Sequence, residues 1–185
     1  MTSYIFESER LGFRIWRETD RKIFAAINAD KETMKYFPST MTKDASNDLV
    51  DRFKAHMAAK GFGPWAVEIK ETGEFIGYIG FSTAVFIAEF TPCVEIGWRL
   101  DKSQWHNGYA TEGAQACLKY GFENLGFDEV YSFTAELNEP SENVMKRLGM
   151  SYVCNFDHPK VEDGSKIKNH KLYKITKQTW KKIKK

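Results

Sequence analysis

Two short segments place glycine, small residues and polar side chains where a strand pattern gives way to a helix pattern. The first, Gln104–Glu112, follows the apolar run Val94–Leu100 and contains Gly108. The first turn of a helix has backbone N–H groups without internal partners, and the helix dipole adds positive potential there. Gly108 would let a ligand approach the backbone closely. The segment therefore predicts an anion site, and an ordinary helix start is the alternative.

The second segment, Asn138–Met150, begins where another strand pattern, Glu129–Ala135, ends. The amide of Asn138 can bond a peptide-like ligand, and Ser141 offers a hydroxyl near the end of the strand. Capping of the helix by either side chain is the alternative. Two helix starts after two neighbouring strands predict a cleft at the carboxyl ends of those strands, where α/β proteins commonly bind ligands.

The patterns along the chain predict the elements that must position these two segments. They give the order strand, helices, three strands, helix, strand, helix, two strands and a terminal helix, which favours one mixed α/β sheet over a doubly wound parallel one. We expect a single domain over residues 1–185, with a core at about 10–176 and a basic helix or tail at 177–185. The predicted elements are strands at Leu11–Trp16, Trp65–Ile69, Phe75–Phe81, Cys93–Leu100, Glu129–Ala135, 150–156 and 170–176, and helices capped by Thr19-Asp20, at Lys43–Ala59, at 109–124 and at Pro140–Leu148.

Composition narrows the class of protein. At 185 residues and 42% hydrophobic content the chain can bury a sizeable core. No apolar run approaches the ~20 residues that span a membrane, so no membrane partner is expected. The amino-terminal residues lack a basic region followed by an apolar one, so we expect a cytoplasmic protein. The three cysteines, Cys93, Cys117 and Cys154, are widely spaced and argue against disulfides or a zinc site.

The net charge of +2 hides an asymmetry. Residues 1–159 hold 17 Lys+Arg against 23 Asp+Glu, whereas residues 160–185 hold 10 against 2. The basic end is either a solvated, lysine-coated surface or a contact for the phosphate of a cofactor or of RNA. It lacks interleaved arginines, so nucleic acid is an unlikely partner.

Several common catalytic motifs are absent from the sequence. It contains no GxxxxGK[ST], no GxGxxG and no HExxH, and no Ser or Cys lies in a nucleophile elbow. The four histidines, at positions 56, 106, 158 and 170, are too far apart in sequence to predict a metal site. Most kinase, dehydrogenase and hydrolase functions therefore lose support.

Three segments in order carry a family resemblance: Glu95–Leu100 (EIGWRL), Trp105–Gly113 (WHNGYATEG) and Asn138–Met150 (NEPSENVMKRLGM). They resemble the GNAT superfamily of acyl-CoA-dependent N-acetyltransferases, and within it the RimJ/RimL-type branch. The resemblance implies the GNAT-type acyl-CoA N-acyltransferase fold, with a splayed central sheet and a V-shaped cofactor cleft. His106 stands where the branch usually has glycine, which puts the local shape of the loop in question.

The resemblance also implies roles for individual residues toward acetyl-CoA, and no metal. Backbone groups of β-strand residues 98–100 would pair with the amide arm of CoA, and backbone N–H groups of residues 106–111 would hold the pyrophosphate. Asn138 would bind the pantetheine arm, and Ser141 would lie near the thioester sulfur. Lys146, Arg147 and the side chain of Arg99 are possible partners for outlying phosphates. The predicted cofactor-binding residues are Trp98, Arg99, Leu100, His106, Asn107, Gly108, Tyr109, Ala110, Thr111, Asn138 and Ser141.

The implied reaction is direct attack by a neutral amine on the thioester carbonyl. Glu95 is the first candidate for the general base, with an ion pair or a solvent-facing strand position as its alternative. Asp157, His158 or a water relay are the next candidates. Ser141 would donate a hydrogen bond to the leaving sulfur.

The leading hypothesis is an acetyl-CoA-dependent N-acetyltransferase, active as a monomer or a homodimer. Its acceptor could be the α-amine of a protein, such as a ribosomal protein, or a small-molecule amine. One competing hypothesis is a CoA-binding regulatory module without chemistry. Another is a ribosome- or RNA-associated protein that acts through the basic segment 160–185.

Overall fold

The computed structural model describes residues 3–183, which form eight strands and five α-helices. A short 3-10 turn, Lys102–Gln104, precedes α3. The strands are β1 (Phe6–Glu7), β2 (Leu11–Arg14), β3 (Pro64–Ile69), β4 (Phe75–Ala84), β5 (Cys93–Leu100), β6 (Glu129–Ala135), β7 (Ser151–Asp157) and β8 (Asn169–Thr176). The helices are α1 (Glu18–Ala29), α2 (Lys43–Lys60), α3 (Tyr109–Glu123), α4 (Glu139–Arg147) and α5 (Lys177–Ile183).

The strands form one mixed sheet in the order β1-β2-β3-β4-β5-β6-β8-β7. The β4–β5 pair is antiparallel and stays in register from Gly77–Leu100 to Ala84–Cys93. The β5–β6 pair is parallel and shares a single register pair, Glu95 with Tyr131. The sheet therefore opens between β5 and β6 toward the carboxyl ends of both strands. This confirms the prediction of a single mixed α/β domain with a splayed sheet.

Helices cover both faces of the sheet. On one face, α1 and α2 pack through Phe24, Ile27 and Val50 against Ala66 and Phe75. Leu49, Phe53 and Met57 of α2 pack against the same cluster. This cluster closes the amino-terminal half of the sheet.

On the other face, α3 lies across β4 and β5. Its side chains Ala114, Leu118 and Phe122 are buried in the same core as Ile96. Gly113 permits this approach, because a Cβ there would lie 2.3 Å from the Cδ1 atom of Ile79. The small and apolar residues on one side of this helix thus fix α3, and with it the preceding loop, on the sheet.

The predicted order of elements is confirmed, with one added strand and shifted boundaries. β1 was not predicted; it pairs with β2 through only two residues, Phe6 and Glu7. An edge strand as short as β1 has no periodicity for a sequence to reveal. β4 continues to Ala84 instead of ending at Phe81.

The first helix differs from its predicted start. It begins at Glu18 with Arg17 as N-cap, so the predicted start at Thr19-Asp20 is wrong, although Asp20 does take part in the cap. Asp20 lies at the third helical position, where its carboxylate accepts a hydrogen bond from the Arg17 backbone N–H at 2.7 Å and binds the buried Arg14. The Arg14–Asp20 ion pair fixes the connection between β2, which ends at Arg14, and α1.

Residues 160–183 of the basic carboxyl-terminal segment are part of the folded domain. β8 lies between β6 and β7, and Trp180 of α5 packs against Phe122 with a ring-centroid distance of 5.5 Å. Lys171 and Lys174 pair with carboxylates, those of Glu142 and Glu129 respectively. The RNA-association hypothesis therefore loses the free basic tail that it assumed. Within residues 3–183, no helix is long and apolar enough to cross a membrane.

Candidate active site

The cleft begins where Ser132 of β6 ends the pairing with β5. Its hydroxyl, which is buried, donates to the backbone oxygen of Ile96 at 3.0 Å. This side-chain bond takes the carbonyl that a continuing ladder would use, and the two strands diverge beyond it. Ser132 was not predicted as a site residue, because a single serine within an apolar strand gives no pattern.

The register of β5 decides which of its backbone groups face the cleft. The Asp101 N–H donates to Ile76 of β4, and the Arg99 carbonyl oxygen lies against Gly77 of the same strand. Because backbone groups alternate along a strand, those of Trp98 and Leu100 point to the cleft side. The Leu100 oxygen already accepts the indole N–H of Trp105 at 3.0 Å.

The predicted role of Arg99 toward the cofactor is therefore wrong on two counts. Its backbone pairs with β4 rather than facing the cleft. Its side chain lies on the face of the sheet covered by α1, where Nη1 donates to Asn28 Oδ1 at 2.6 Å, and not on the α3 side where a phosphate partner would be needed. Alternation places Ile96 and Leu100 on the α3 side, and Arg99 on the opposite one.

The loop before α3 has the backbone geometry of an anion site. Gly108 is the N-cap in a left-handed conformation with φ of 81°, and no side chain caps this helix. His106 also adopts a positive φ of 64°, a conformation that favours glycine, so the branch's usual residue at this position has a conformational explanation. Among residues 3–183, no acceptor is found for any of the six backbone N–H groups from His106 to Thr111.

An ion pair braces this loop from the amino-terminal strands. Glu112, in the first turn of α3, accepts hydrogen bonds from Ser8 Oγ at 2.7 Å and from Arg10 Nε at 2.7 Å. Arg10 Nη2 in turn donates to the Asn107 oxygen at 3.0 Å. Burial alone would raise the pKa of Glu112, but the bonds from Ser8 and Arg10 lower it, so the carboxylate stays charged. Sequence analysis missed this brace because its partners are about a hundred residues apart.

The second helix start has one part engaged in capping and one part free for a ligand. Asn138 Oδ1 accepts the Ser141 N–H at 3.3 Å, and Asn138 Nδ2 donates to Thr134 Oγ1 at 2.8 Å. Capping by Asn138 is thus observed, and one Nδ2 hydrogen remains for a ligand. Ser141 is half-buried at the first turn of α4. Its role toward the thioester stays a prediction.

Glu95 occupies the base of the cleft, at the last β5–β6 register pair and directly opposite Ser82 of β4. Burial raises its pKa to about 8, against a small lowering by Lys160 and by a hydrogen bond with Ser82. A carboxyl group with this pKa can take up a proton near neutral pH. The predicted alternative of an ion pair is not what the structure has, because none of the ion pairs within residues 3–183 includes Glu95.

An aromatic cluster lies beside the cleft on the same face as Glu95. Its ring centroids lie 4.9–6.3 Å apart, and its loop members come from the β4–β5 connection. Spacing along the chain does not reveal this cluster, because sheet pairing brings its strands together. Its members are Phe86, Phe90, Phe133, Phe156, His158 and His170.

Asp157 and His158 do not form a catalytic pair. Asp157 is exposed and accepts a hydrogen bond from Asn169 Nδ2 at 3.1 Å, whereas His158 packs against the His170 ring at 4.9 Å. Burial, the neighbouring His170 and two lysines lower the pKa of His158 to about 4. His158 is therefore neutral at pH 7 and a weak base, and Glu95 remains the better candidate.

The two cations predicted as phosphate partners, Lys146 and Arg147, lie at the opposite end of α4 from Asn138. Within residues 3–183, no group of three or more His, Cys, Asp or Glu side chains could hold a metal ion. Lys146 lies in the last turn of α4 and pairs with Glu142 at 3.0 Å. A phosphate contact by Lys146 or Arg147 stays a prediction.

Comparison with known proteins identifies the family. The family model described as acetyltransferase (GNAT) domain matches residues 10–151, so the chain belongs to the GNAT acetyltransferase family, and it is an N-acetyltransferase. It is 31% identical over 173 residues, or 86% of this chain and 71% of the relative, to the FsC-acetyl coenzyme A-N(2)-transacetylase of Aspergillus fumigatus.

Solved structures agree on the fold. An acetyltransferase of the GNAT family from Bacillus anthracis superposes with a TM-score of 0.77 at 27% identity, over 93% of this chain and 98% of its own. Mycobacterium smegmatis RimJ, solved in complex with CoA-disulfide, gives a TM-score of 0.72 at 21% identity, over 90% and 81%. The similarity to RimJ, at 21% identity, shows a shared fold only. Membership of the RimJ/RimL-type branch stays a prediction.

Proposed function

We propose that this chain transfers the acetyl group of acetyl-CoA to a primary amine in the cleft between β5 and β6. The observation that carries the proposal is the run of six unpartnered backbone N–H groups from His106 to Thr111. A pyrophosphate needs donors on several oxygens at once, and a helix start supplies them with a favourable dipole. An ideal Cβ on Gly108 would meet only Arg10 Nη2, at 3.6 Å, so the approach is open and has a cation beside it.

The free edge of β5 fits the amide arm of CoA. Trp98 points its backbone N–H and C=O into the splay, and no strand of the part of the chain that the structure describes pairs with it on that side. An extended amide chain that adds to a strand edge gains hydrogen bonds without any change in the protein. Asn138, across the cleft, offers the remaining hydrogen of its Nδ2 to the same arm. Together these groups direct the thioester toward the base of the cleft.

Glu95 supplies the acceptor for the proton that the attacking amine must lose. An α-amine, with a pKa of about 7.7–8.0, costs only about 1 kcal/mol to deprotonate at pH 7, whereas a lysine-type amine near 10.4 costs about 4.6 kcal/mol. A carboxylate whose pKa is raised to about 8 matches the first kind of amine well. Glu95 acts directly or through one water.

Ser141 donates a hydrogen bond to the sulfur that leaves. A thiolate, with a pKa of about 8.5, is far more stable than a serine alkoxide, so complete proton transfer from Ser141 is uphill. The hydroxyl therefore stabilises the developing charge rather than protonating it. The helix start of α4 holds Ser141, because Asn138 caps its backbone N–H.

CoA release over a panel of amines tests this proposal. The wild-type protein is incubated with acetyl-CoA and with small α-amines, ω-amines or peptides, and released thiol is measured against a protein-thiol blank. We expect release that depends on the amine and an acetylated product of matching mass. Binding of acetyl-CoA by calorimetry, without release from any amine, would contradict the proposal and favour a regulatory module.

A further inference from the structure

We propose that Arg99 binds a carboxylate of the acceptor, so the acceptor is an amine that also carries a carboxylate, as an amino acid does. This inference rests on the proposed acetyl transfer and names the substrate class for the same site. Its starting point is a buried cation without a counterion. The Arg99 side chain is 6% exposed and takes part in none of the ion pairs within residues 3–183.

Most of the hydrogen-bonding capacity of Arg99 is unused. A guanidinium carries five N–H donors, and in residues 3–183 only Nη1 has an acceptor, the neutral amide oxygen of Asn28. Nε is shielded from solvent and has no partner among the described residues. A buried ion without a partner is costly, and native structures seldom keep one without a use. Burial lowers the pKa of Arg99 for the same reason, although the group stays protonated.

The surroundings hold the guanidinium in one orientation. Asn28 is fully buried and is itself fixed, because its Nδ2 donates to the buried Ser46 hydroxyl at 2.8 Å. The ring of Phe37 lies 4.1 Å from the guanidinium carbon, and that of Tyr78 lies 5.8 Å away. Aromatic contacts cover the plane of a guanidinium and leave its edge for hydrogen bonds. Nη2 is the donor that a carboxylate oxygen reaches first, and Nε on the same edge can take the second oxygen once the atoms that shield it shift.

The position of Arg99 points to the acceptor rather than to CoA. Arg99 and Glu95 alternate onto the same face of β5, which is the face away from α3 and the pyrophosphate loop. Four residues along a strand separate their Cα atoms by about 13 Å, a gap that two long side chains and one small molecule can bridge. A molecule with its carboxylate on Arg99 and its amine toward Glu95 would lie across the splay.

Matched acceptor pairs test the inference. Each amino acid, such as glycine, β-alanine or γ-aminobutyrate, is compared with its primary amide at equal concentration of neutral amine, in the wild type, in Arg99→Met and in Arg99→Lys. We expect the wild type to prefer the carboxylate, and the preference in kcat/KM to fall by roughly 10- to 100-fold in Arg99→Met. Arg99→Lys keeps the charge but lacks the paired N–H donors of a guanidinium, so its preference for the carboxylate should lie between those of the wild type and Arg99→Met.

Thermal protection provides a second readout that needs no turnover. The carboxylate-bearing acceptors should raise the Tm of the wild type with CoA present, and should not raise that of Arg99→Met. Acetyl-CoA affinity, which depends on backbone groups that face away from Arg99, reports whether the cleft of each variant is intact.

The two ideas fail in different ways. Equal use of acids and amides by the wild type, with no change of preference in Arg99→Met, would overturn the carboxylate site while acetyl transfer stands. An absence of transfer to every amine would overturn the proposed function. In that case protection of the wild type by carboxylates would still support the Arg99 site, and no protection would overturn it as well.

Discussion

Two regions of the sheet bury the same pair of residue types and treat them in opposite ways. At β2 and β3, Arg14 is 2% exposed and donates to Glu68 and to both oxygens of Asp20, at 2.7 and 2.9 Å. At β5, Arg99 and Glu95 lie on one strand about 13 Å apart, and neither takes part in an ion pair within residues 3–183. In the first region the charged groups pair with one another, whereas in the second Arg99 and Glu95 remain free to interact with a ligand.

The pKa values of the two regions record this difference. Burial alone would lower the pKa of Arg14, but the hydrogen bonds that it donates to Asp20 and Glu68 raise it. Burial lowers the pKa of Arg99 and raises that of Glu95 to about 8, with no strong partner to oppose it. Satisfied polar groups hold a fold together, and unsatisfied ones cost stability that a ligand can recover. The first region therefore stabilises the fold, and we propose that the second serves binding and catalysis.

The helix starts show the same contrast. The α2 start is closed by its N-cap Thr42, whose hydroxyl accepts the Ala45 N–H. The α3 start has Gly108 and no side-chain cap. A cap residue is usually worth about 1 kcal/mol, so its omission at α3 costs stability and leaves the N–H groups free.

The largest expected effect is on the first region. Arg14→Met leaves Asp20 buried without its cation and leaves Glu68 with only the longer Arg17 pair at 3.3 Å, which should lower the free energy of unfolding by about 3–5 kcal/mol. Arg99→Met removes an unpaired cation but leaves the buried Asn28 Oδ1 without its donor, so the loss should be smaller, about 1–2 kcal/mol. Urea denaturation of both variants measures this difference. Equal losses would mean that Arg99 is as structural as Arg14, and would break the comparison.

Glu95→Gln tests whether the unpaired carboxyl is the base. We expect kcat/KM above pH 8 to fall by roughly 100-fold, with loss of the limb that rises through about pH 8. The acceptor amine should have its own pKa well away from 8, so that the limb belongs to the enzyme. An unchanged pH profile of kcat/KM would show that another group is the base.

The same substitution has a stability readout of definite sign. The pKa of Glu95 in the folded protein, about 8, exceeds its ordinary 4.5. The native state therefore keeps a proton that the unfolded chain releases between these pH values, and stability falls as pH rises through that window. Glu95→Gln should remove this fall. A parallel pH dependence in wild type and variant would contradict the raised pKa.

Ser141→Ala tests the proposed bond to the leaving sulfur. Because this bond strengthens as charge develops, kcat should fall by roughly 10- to 30-fold while the Kd of acetyl-CoA stays nearly constant. Ser151→Ala, at an exposed strand residue, serves as the matched control. If Ser141→Ala raised the Kd and left kcat intact, the hydroxyl would be a binding group only.

The smallest effect is expected at Asn138. Asn138→Asp keeps the oxygen that caps the Ser141 N–H and is an equally good N-cap, but it has no amide hydrogen to donate. The Tm should therefore stay nearly constant while the KM of acetyl-CoA rises by roughly 3- to 10-fold. Loss of stability without loss of affinity would leave Asn138 with capping alone.

Local patterns predicted the elements and the two helix starts that flank the cleft. The glycine at position 108 and the polar start at Asn138 are visible within short windows, since capping and helix polarity act over one turn. The parallel neighbours β5 and β6 followed from two successive strand–helix units. These features survive because each depends on residues that are close in sequence.

Features that depend on distant residues were not predictable. The strand at 170–176 was predicted, but its place between β6 and β7 depends on pairing with two other strands and could not be. The family resemblance assigned Arg99 to the cofactor. The directions of its backbone groups and side chain depend on register with β4, which spacing along the chain does not give. The brace between Arg10 and Glu112 joins residues 102 apart. Pairing register and long-range ion pairs are set by tertiary packing, so they appear only in the folded structure.

Calorimetric titration of acetyl-CoA into two glycine variants tests the central claim most directly. Gly108 and Gly126 lie at the start and just beyond the end of α3 with φ of 81° and 74°, so valine strains both equally, but only Gly108 borders the unpaired N–H groups. Gly108→Val should weaken binding by roughly 30- to 100-fold, and Gly126→Val should bind as the wild type does. Equal affinities in the two variants would contradict an acetyl-CoA site at the start of α3.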